Sequence, residues 1–90
     1  MAIVTGIVPT WNRCDLLERL LESLTRQSRP PDQVIVVDNG SQDDSAKVAE
    51  RLGAAVIRLS SNAGFARSVN LGIQSAAGDW ILIVNNDVEL

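Results

Sequence analysis

The arrangement of strands and helices is decided by residues 34–41, which read VIVVDNGS. The four apolar residues at 34–37 predict a strand that is buried on both faces, as strands of a parallel sheet are. The polar turn at 38–41 contains Gly40, which lets the backbone turn sharply or approach a ligand closely. A buried strand that ends in polar groups favours an α/β domain, in which ligands bind beyond the carboxyl ends of the strands.

The same alternation extends outward on both sides of this stretch. Three more strands are predicted from apolar runs, at residues 2–8, 54–59 and 80–84. Three helical patterns separate the strands, between Asn12 and Pro30, at residues 43–52 and at residues 65–77. This β-α-β-α-β-α-β order predicts a Rossmann-like, three-layer α/β/α fold with a mainly parallel four-stranded sheet.

Local signals predict where the first strand ends and where the first helix begins and stops. Pro9 is expected to close the strand, and Asn12 to cap the helix, with Asp15 completing a capping-box-like pair. The helix carries a stripe of leucines and is expected to stop at Pro30-Pro31.

Composition narrows the possible functions. The chain has 90 residues and a net charge of −3, so we expect one small domain and no general nucleic-acid binding, which needs many basic contacts to phosphate. One bound nucleotide remains compatible, because a divalent cation can neutralise a diphosphate. The absence of histidine and the single Cys14 exclude a structural zinc site and an internal disulfide. The first apolar run is too short for a membrane segment and lacks the basic start of a signal peptide, so a cytoplasmic protein is expected.

Side chains able to bind a nucleotide cluster in the segments that follow the predicted strands. Thr10, braced by Pro9, could face a base or a ribose, and Asp38 could accept a hydrogen bond from an N–H or a sugar hydroxyl. Arg67 lies in the first turn of the third predicted helix, where free N–H groups and a cation attract a diphosphate. Asp87, after the last strand, offers the oxygen ligand that Mg²⁺ and Mn²⁺ prefer.

Each segment taken alone also has an ordinary structural explanation. The segment after the first strand fits a helix cap, and residues 38–41 and 85–87 fit turns that close strands. Arg67 and Arg58 fit solvated surface positions. The combination of four polar segments at one edge of the sheet is what favours a ligand site.

Read in order, four motifs resemble those of the family 2 inverting glycosyltransferases of the GT-A fold. The resemblance covers nearly all 90 residues. The motifs are Val8-Pro9-Thr10-Trp11-Asn12-Arg13, Val36-Val37-Asp38-Asn39-Gly40-Ser41, Asn62-x-Gly64-Phe65-Ala66 with Asn70 and Gly72, and Asn85-Asn86-Asp87. The closing Asn-Asn-Asp-Val is most similar to the branch that includes rhamnosyltransferase-like enzymes.

The resemblance implies a site for a nucleotide-sugar donor, expected to be a UDP- or dTDP-sugar. Pro9 and Thr10 would line the nucleoside pocket, and Asp38 with Asn39 would contact the base and the ribose. Many family members have two acids at these last two positions. The amide of Asn39 can accept a hydrogen bond from a pyrimidine N3–H but brings no charge. The acceptor would be a glycan or a lipid-linked glycan in the full-length enzyme.

The resemblance also implies a metal site, because Asn85-Asn86-Asp87 takes the place of the family's Asp-x-Asp motif. Asp87 would be the acid that binds Mg²⁺ or Mn²⁺, with Asn85 near the ribose. Only one acid is present in this motif, so metal affinity is expected to be lower than in a site with two acids.

No residue of this chain matches the catalytic base of the family. An inverting transfer needs a carboxylate to deprotonate the acceptor hydroxyl as it attacks the anomeric carbon. The resemblance therefore implies that residues 1–90 form the nucleotide-sugar-binding N-terminal part of a truncated glycosyltransferase domain, and this part alone is expected to be inactive.

Two other classes of protein stay open from the sequence. A nucleotidyltransferase has a related sheet, but such enzymes usually carry a Gly-rich basic loop where this chain has Pro9-Thr10-Trp11-Asn12. A small α/β interaction domain would need no nucleotide at all. A measurement of metal-dependent nucleotide binding would distinguish the two enzyme classes, which should bind, from such an interaction domain, which should not.

Overall fold

Strands and helices alternate along the whole described part of the chain. A computed structural model describes residues 3–28, 30–61, 64–76 and 78–84. Their elements are β1 (Val4–Thr10), α1 (Cys14–Thr25), β2 (Gln33–Asp38), α2 (Ser45–Arg51), β3 (Ala55–Arg58), α3 (Phe65–Ser75) and β4 (Trp80–Ile83). The predicted β-α-β-α-β-α-β order is confirmed.

The four strands form one parallel sheet in the order β3-β2-β1-β4. The central strands β1 and β2 run in register from Thr5↔Gln33 to Thr10↔Asp38. Because all pairs are parallel, the carboxyl ends of the strands meet at one edge of the sheet. Thr10 and Asp38, the last residues of β1 and β2, are therefore neighbours at that edge.

Helices cover both faces of the sheet, which confirms the three-layer α/β/α fold. One core cluster joins Val8 and Val36 to the leucine stripe of α1 and to Ala49 of α2. Four of the five leucines of that stripe, all except the half-buried Leu16, are buried. Each contributes about 1.5–3 kcal/mol, so burial of one face holds α1 on the sheet. On the opposite face Ile7, Ile35 and Val37 form a second cluster, and α3 lies across β1 and β2.

The structure extends the first strand beyond the predicted end at residue 8. β1 continues through Pro9 to Thr10. The Ile7 carbonyl accepts a hydrogen bond from Val84 N–H, so the backbone groups of Ile7 face β4. Alternate residues of a strand bond to the same neighbouring strand. The side of Pro9 without an N–H therefore faces β4 beyond Ile7↔Ile83, the last pair these strands make in the described residues. Among the described residues, the pairing of β1 with β4 ends before this position.

The predicted limits of α1 are wrong at both ends. The helix begins at Cys14 after an Arg13 cap, and no side chain of the cap residue bonds to it. Asn12 instead adopts a φ of 49° and bonds to the loop after β2. The helix ends at Thr25, well before Pro30, and the Thr25 hydroxyl donates to the Glu22 carbonyl in the last turn.

Edge strand β4 exposes apolar side chains. Trp80 is 65% exposed, and Ile81, Leu82 and Ile83 are also exposed. The part of the chain that the structure describes contains no helix long and apolar enough to cross a membrane.

Candidate functional site

Thr10 and Asp38 form the centre of the polar edge. Both side chains are nearly buried, at 3% and 5% exposed, and their alternation with Val8 and Val36 places them on the α1 face of the sheet. The Asp38 Oδ1 accepts a hydrogen bond from Ser41 N–H at 3.0 Å, which fixes the carboxylate. Among the described residues only Oδ1 of this carboxylate accepts a hydrogen bond. A carboxylate held in this way can accept a further bond from a ligand N–H or hydroxyl.

Asn39 turns to the opposite side of the sheet, toward α3. Its backbone N–H donates to the Thr10 carbonyl at 2.9 Å, and its Nδ2 approaches the same carbonyl at 3.4 Å. Its Oδ1 accepts from the Ser68 hydroxyl at 2.7 Å. Asn39 is only 4% exposed, so the structure places it beside the predicted site with its amide engaged by protein groups.

The loops that follow β1 and β2 are tied together by hydrogen bonds. Asn12 N–H donates to the Ser41 hydroxyl at 2.9 Å, and the Asn12 Oδ1 accepts from Gln42 N–H at 2.7 Å. These bonds span about thirty residues of sequence, so they close the two loops on each other above the strand ends. The positive φ of Asn12 is a conformation that asparagine tolerates better than most residues.

A single carboxylate, that of Asp43, binds the start of two helices. Its Oδ2 accepts from Cys14 N–H, the first residue of α1, and its Oδ1 accepts from the N–H and the hydroxyl of Ser45, the first residue of α2. Burial alone raises the pKa of Asp43, but the hydrogen bonds from Ser45 and Cys14 outweigh it, and the pKa lies below its ordinary value. The ionised form is therefore the one that holds the helices.

Cys14 is not activated as a nucleophile. Burial raises the pKa of its thiol, and the nearby carboxylates of Asp43 and Asp44 raise it further. The thiol is therefore protonated at neutral pH.

The N-terminus of α3 lies next to the polar edge. Gly64 precedes the helix with a φ of 87°, and Ser68 in the first turn contacts Asn39. Arg67 is exposed and lines a cavity of about 310 Å³ with Leu59, Ser60 and Ser61, the residues that follow β3. A cation and two hydroxyls therefore lie at one opening, and Arg67 belongs to the first turn of α3, which suits an anionic group.

Gly40 allows the loop after β2 to approach the loop after β3. Its φ is 79°, and a Cβ at this position would lie 2.9 Å from the Ser61 Cα. Both the backbone conformation and the contact require glycine. The close approach positions the segments that carry Asp38 and Arg67 relative to each other.

The structure brings together four predicted residues, Pro9, Thr10, Asp38 and Asn39, and places Arg67 across the cavity after β3. Arg58, in contrast, pairs with Glu50 of α2 in an exposed ion pair and does not share that cavity. Asn85 and Asp87 lie outside the described residues. Within the described part no group of three acidic, cysteine or histidine side chains is placed to hold a metal ion.

The sequence did not indicate Ser68 or the brace between Asn12 and Ser41. Ser68 stands in a helical pattern where a serine gives no sign of a partner 29 residues away. Asn12 was read as a local cap, although its partner Gln42 N–H lies in a different loop. Both contacts depend on the sheet register, which no local pattern encodes.

A second cavity lies at the opposite edge of the sheet. It has a volume of about 420 Å³ and is lined by the ends of α1 and α2 and the starts of β2 and β3, including Leu21, Pro31, Gln33, Leu52 and Gly53. Its lining carries few of the groups that bind nucleotides, and it lies at the amino ends of the strands. The carboxyl edge is the better candidate on chemistry and on topology.

The fold and the polar edge define an α/β domain with a ligand site at the carboxyl ends of its strands. The chain belongs to Glycosyl transferase family 2, whose sequence profile matches residues 5–90. This membership confirms the family predicted from the four motifs. It also removes the nucleotidyltransferase and the small interaction domain as alternatives.

Curated relatives and solved structures agree with the family. The chain is 38% identical over 82 residues to an uncharacterized glycosyltransferase of Haemophilus influenzae and 34% identical over 86 residues to YwdF of Bacillus subtilis, also an uncharacterized glycosyltransferase. These matches cover 90% and 93% of this chain but only 28% and 32% of the relatives. The chain therefore spans about a third or less of these curated relatives' length.

Two solved structures share the fold. The mannosyltransferase PcManGT of Pyrobaculum calidifontis, solved in complex with GDP-Man and Mn²⁺, has a TM-score of 0.89 and 28% identity over 98% of this chain and 28% of its own. TarS 1-349 of S. aureus has a TM-score of 0.87 and 31% identity over 97% of this chain and 28% of its own. They confirm the predicted GT-A type of α/β fold.

Proposed function

We propose that residues 1–90 provide the donor-nucleotide site of a metal-assisted, inverting glycosyltransferase. The observation that carries this proposal is the register of Thr10 and Asp38 at the carboxyl edge, with Arg67 across the cavity after β3. Family membership supplies the class of reaction, and the edge supplies groups suited to a nucleoside and to a diphosphate.

Thr10 and Asp38 are assigned to the nucleoside. Asp38 is held by Ser41 N–H with its carboxylate at the strand end, where it can accept a bond from a base N–H or a ribose hydroxyl. Pro9 fixes the backbone beside Thr10, because its ring restricts φ. The donor predicted from the sequence was a UDP- or dTDP-sugar, and the GDP-Man bound by PcManGT adds guanine to the bases to be tested.

Arg67 and the start of α3 are assigned to the diphosphate. Arg67 lies in the first turn of an eleven-residue helix, whose N-terminus carries a partial positive charge. Both attract negative charge. The cavity that they share with Ser60 and Ser61 opens onto solvent and can admit a phosphate group.

A divalent cation is assigned to Asp87, with Asn85 near the ribose. β4 runs parallel to β1, and Val84 bonds to the Ile7 carbonyl, so β4 ends at the polar edge. Asp87 and Asn85 follow β4 in the sequence, and a carboxylate and an amide oxygen are hard ligands that suit Mg²⁺ or Mn²⁺. The cation would neutralise charge on the diphosphate leaving group, as in other phosphate-binding metal sites.

Sugar transfer itself is not expected from this chain. The acceptor hydroxyl must lose a proton to a base as it attacks the anomeric carbon, and the resemblance matches no residue here to that role. Acceptor identity, the rhamnosyltransferase-like branch and a cytoplasmic location stay predictions.

The proposal is tested by titrating the 90-residue chain with UDP, dTDP and GDP, with and without Mn²⁺, followed by calorimetry. We expect Mn²⁺-dependent binding of at least one nucleotide, and we expect Asp87→Ala to remove the metal-dependent part. Asp44→Ala is the matched control, since it also replaces an aspartate with alanine, and Asp44 is exposed and makes no capping hydrogen bond. Absence of binding by the folded chain, or sugar transfer by it, would contradict the proposal.

A further inference from the structure

The two edges of the sheet differ in the side chains they present to solvent. β3 and β4 are the outer strands of the described sheet. β3 ends at Arg58, which forms an exposed ion pair with Glu50 of α2, and its two middle residues are half-buried. All four residues of β4 are apolar and exposed. Charged side chains protect the edges of many sheets against pairing with another chain, so β3 is a protected edge and β4 is not.

β4 is apolar on both of its faces. Val84, directly after the strand, belongs to the core cluster on the α1 face, so Trp80 and Leu82 lie on that face as well. Ile81 and Ile83 alternate with them and lie on the opposite face. A strand that is apolar on both faces is typical of the interior of a parallel sheet. β4 therefore has the composition of an inner strand, although no strand of the described residues lies beyond it.

The backbone of β4 also has an outer side that pairs with no strand among the described residues. Trp80 and Val84 donate their N–H groups to carbonyls on the β1 side of the strand. Alternate residues of a strand bond to the same neighbouring strand, so the N–H and C=O groups of Ile81 and Ile83 point away from β1. In the described part of the chain, β4 pairs with β1 alone. Such an edge is a template for pairing with a further strand.

We propose that the outer edge of β4 is a self-association surface, on which a second copy of this chain pairs antiparallel with the first. A two-fold axis at Leu82 sets Ile81 of each copy opposite Ile83 of the other, so their outward N–H and C=O groups exchange hydrogen bonds. On the α1 face, Leu82 meets Leu82 of the second copy, and Trp80 meets Val84. Every facing pair is apolar, so the contact brings no like charges together.

The second copy is expected to use its β4 and not its β3. Pairing of β4 with β3 of another copy would set Arg58 and Glu50 against apolar side chains, and repetition of that contact would build an open filament. Pairing of β4 with β4 uses the same surface on both copies, so it closes as a dimer. It joins two four-stranded sheets into one and leaves the charged β3 edges in solvent at its ends.

The exposed area of β4 fits a weak dimer. Its four side chains expose roughly 400 Å² per copy, which is within the range for the largest apolar patch of an ordinary monomer. Covering this patch on both copies removes roughly 800 Å² from solvent, less than the about 1,200 Å² at which stable interfaces begin. Hydrogen bonds along the new ladder add to the burial, so we expect a dissociation constant of roughly 10–100 µM.

The test is sedimentation velocity of the 90-residue chain, without nucleotide or metal, at concentrations on both sides of that constant. We compare the wild type with Ile83→Lys, which places a charge in the contact, and with Ile81→Pro, which removes an outward N–H and keeps the bonds to β1. Ala55→Lys, at an exposed position of β3, is the matched control. Circular dichroism reports whether each variant is folded, and either variant carries the test if the other unfolds.

We expect the average mass of the wild type to rise with concentration from 9.7 kDa to twice that value. Ile83→Lys and Ile81→Pro should each weaken association about tenfold or more, and Ala55→Lys should associate like the wild type. Amide hydrogen exchange followed by NMR gives a second readout. The outward amides of Ile81 and Ile83 should exchange slowly in the dimer and quickly on dilution, whereas the Trp80 amide, bonded toward β1, should stay slow in both.

Three results would overturn the inference. One is a wild type that stays monomeric at every concentration, and slow exchange at Ile81 and Ile83 in that monomer would mean that another part of the same chain covers the edge. Another is association that neither β4 variant weakens, or that Ala55→Lys weakens equally. The last is a mass that grows beyond the dimer, which would exclude a closed pair. Sedimentation is measured without nucleotide, so the proposed function is tested separately.

Discussion

Replacing Asp43 with asparagine or alanine tests the double helix cap. Asparagine keeps one oxygen for Ser45 but turns an NH₂ group toward Cys14 N–H, whereas alanine removes both contacts. One helix cap contributes about 1 kcal/mol, so we expect a loss in the free energy of unfolding of about 1 kcal/mol for Asp43→Asn and about 2 kcal/mol for Asp43→Ala. For a domain of this size, each 1 kcal/mol corresponds to about 4–8 °C in Tm.

Urea unfolding at pH 7 measures these losses, with Asp44→Asn as the control. Asp44 is the neighbouring acid and makes no side-chain capping bond, so its variant should unfold like the wild type. A midpoint for Asp43→Ala equal to that of the wild type would refute the double cap. An equal loss of stability in the Asp44→Asn control would also refute the double cap, because the loss would then follow from removing a negative charge and not from removing the cap.

The same variants have a predicted pH dependence. Hydrogen bonds hold the pKa of Asp43 below its ordinary value in the folded chain, so the unfolded chain binds the proton more readily. The contribution of Asp43 is therefore present above pH of about 4 and is lost as the pH falls through the folded pKa. The gap in stability between the wild type and Asp43→Ala should narrow on acidification, and a gap that widens would contradict the sign.

Three further substitutions have defined outcomes. Asp38→Asn keeps the acceptor for Ser41 but removes the charge, and should weaken nucleotide binding roughly tenfold or more in calorimetry; unchanged binding would remove Asp38 from the site. Arg67→Gln should reduce the preference for a nucleoside diphosphate over its nucleoside, and it should make binding less dependent on salt. An unchanged preference would show that the diphosphate does not bind at Arg67. Gly72→Ala would put a Cβ 2.5 Å from Ile7 Cγ2 and should lower the free energy of unfolding by about 1 kcal/mol, with the exposed Asn70→Ala as control; a gain in stability would show that Ile7 moves aside.

The sequence predicted the layers of the fold because they follow from local patterns. Residues 35–37 of the predicted apolar run are buried in β2, with Val34 half-buried, and the leucine stripe became the buried face of α1. The helical pattern predicted to end at residue 52 is followed by Gly53, which has a φ of 90° after α2. These features depend on burial and on backbone freedom, which neighbouring residues encode.

The errors arose where a tertiary contact competed with a local signal. Asn12 has the chemistry of a helix cap, but Gln42 N–H takes its side-chain oxygen, and Asp43 from another loop caps α1. Pro9 reads as a strand stop, yet the missing N–H faces a side where β4 makes no pair in the described residues. Neither outcome can be predicted without the register between strands.

Part of the candidate site could be predicted from the order of strands and helices. Thr10 and Asp38 could be placed at one edge because the ends of parallel strands meet there, and the structure brings them into register. The inward turn of Asn39 could not be predicted, because it depends on Ser68, which gives no signal of its own.

Mapping of backbone amide shifts by NMR, during titration of the 90-residue chain with a nucleoside diphosphate and Mn²⁺, would locate the ligand on the fold. We predict shifts concentrated at Thr10, Asp38 and Arg67, at the carboxyl edge of the sheet. Shifts concentrated instead around Gln33 and Gly53, in the cavity at the amino edge, would contradict a donor site built on the ends of β1 and β2.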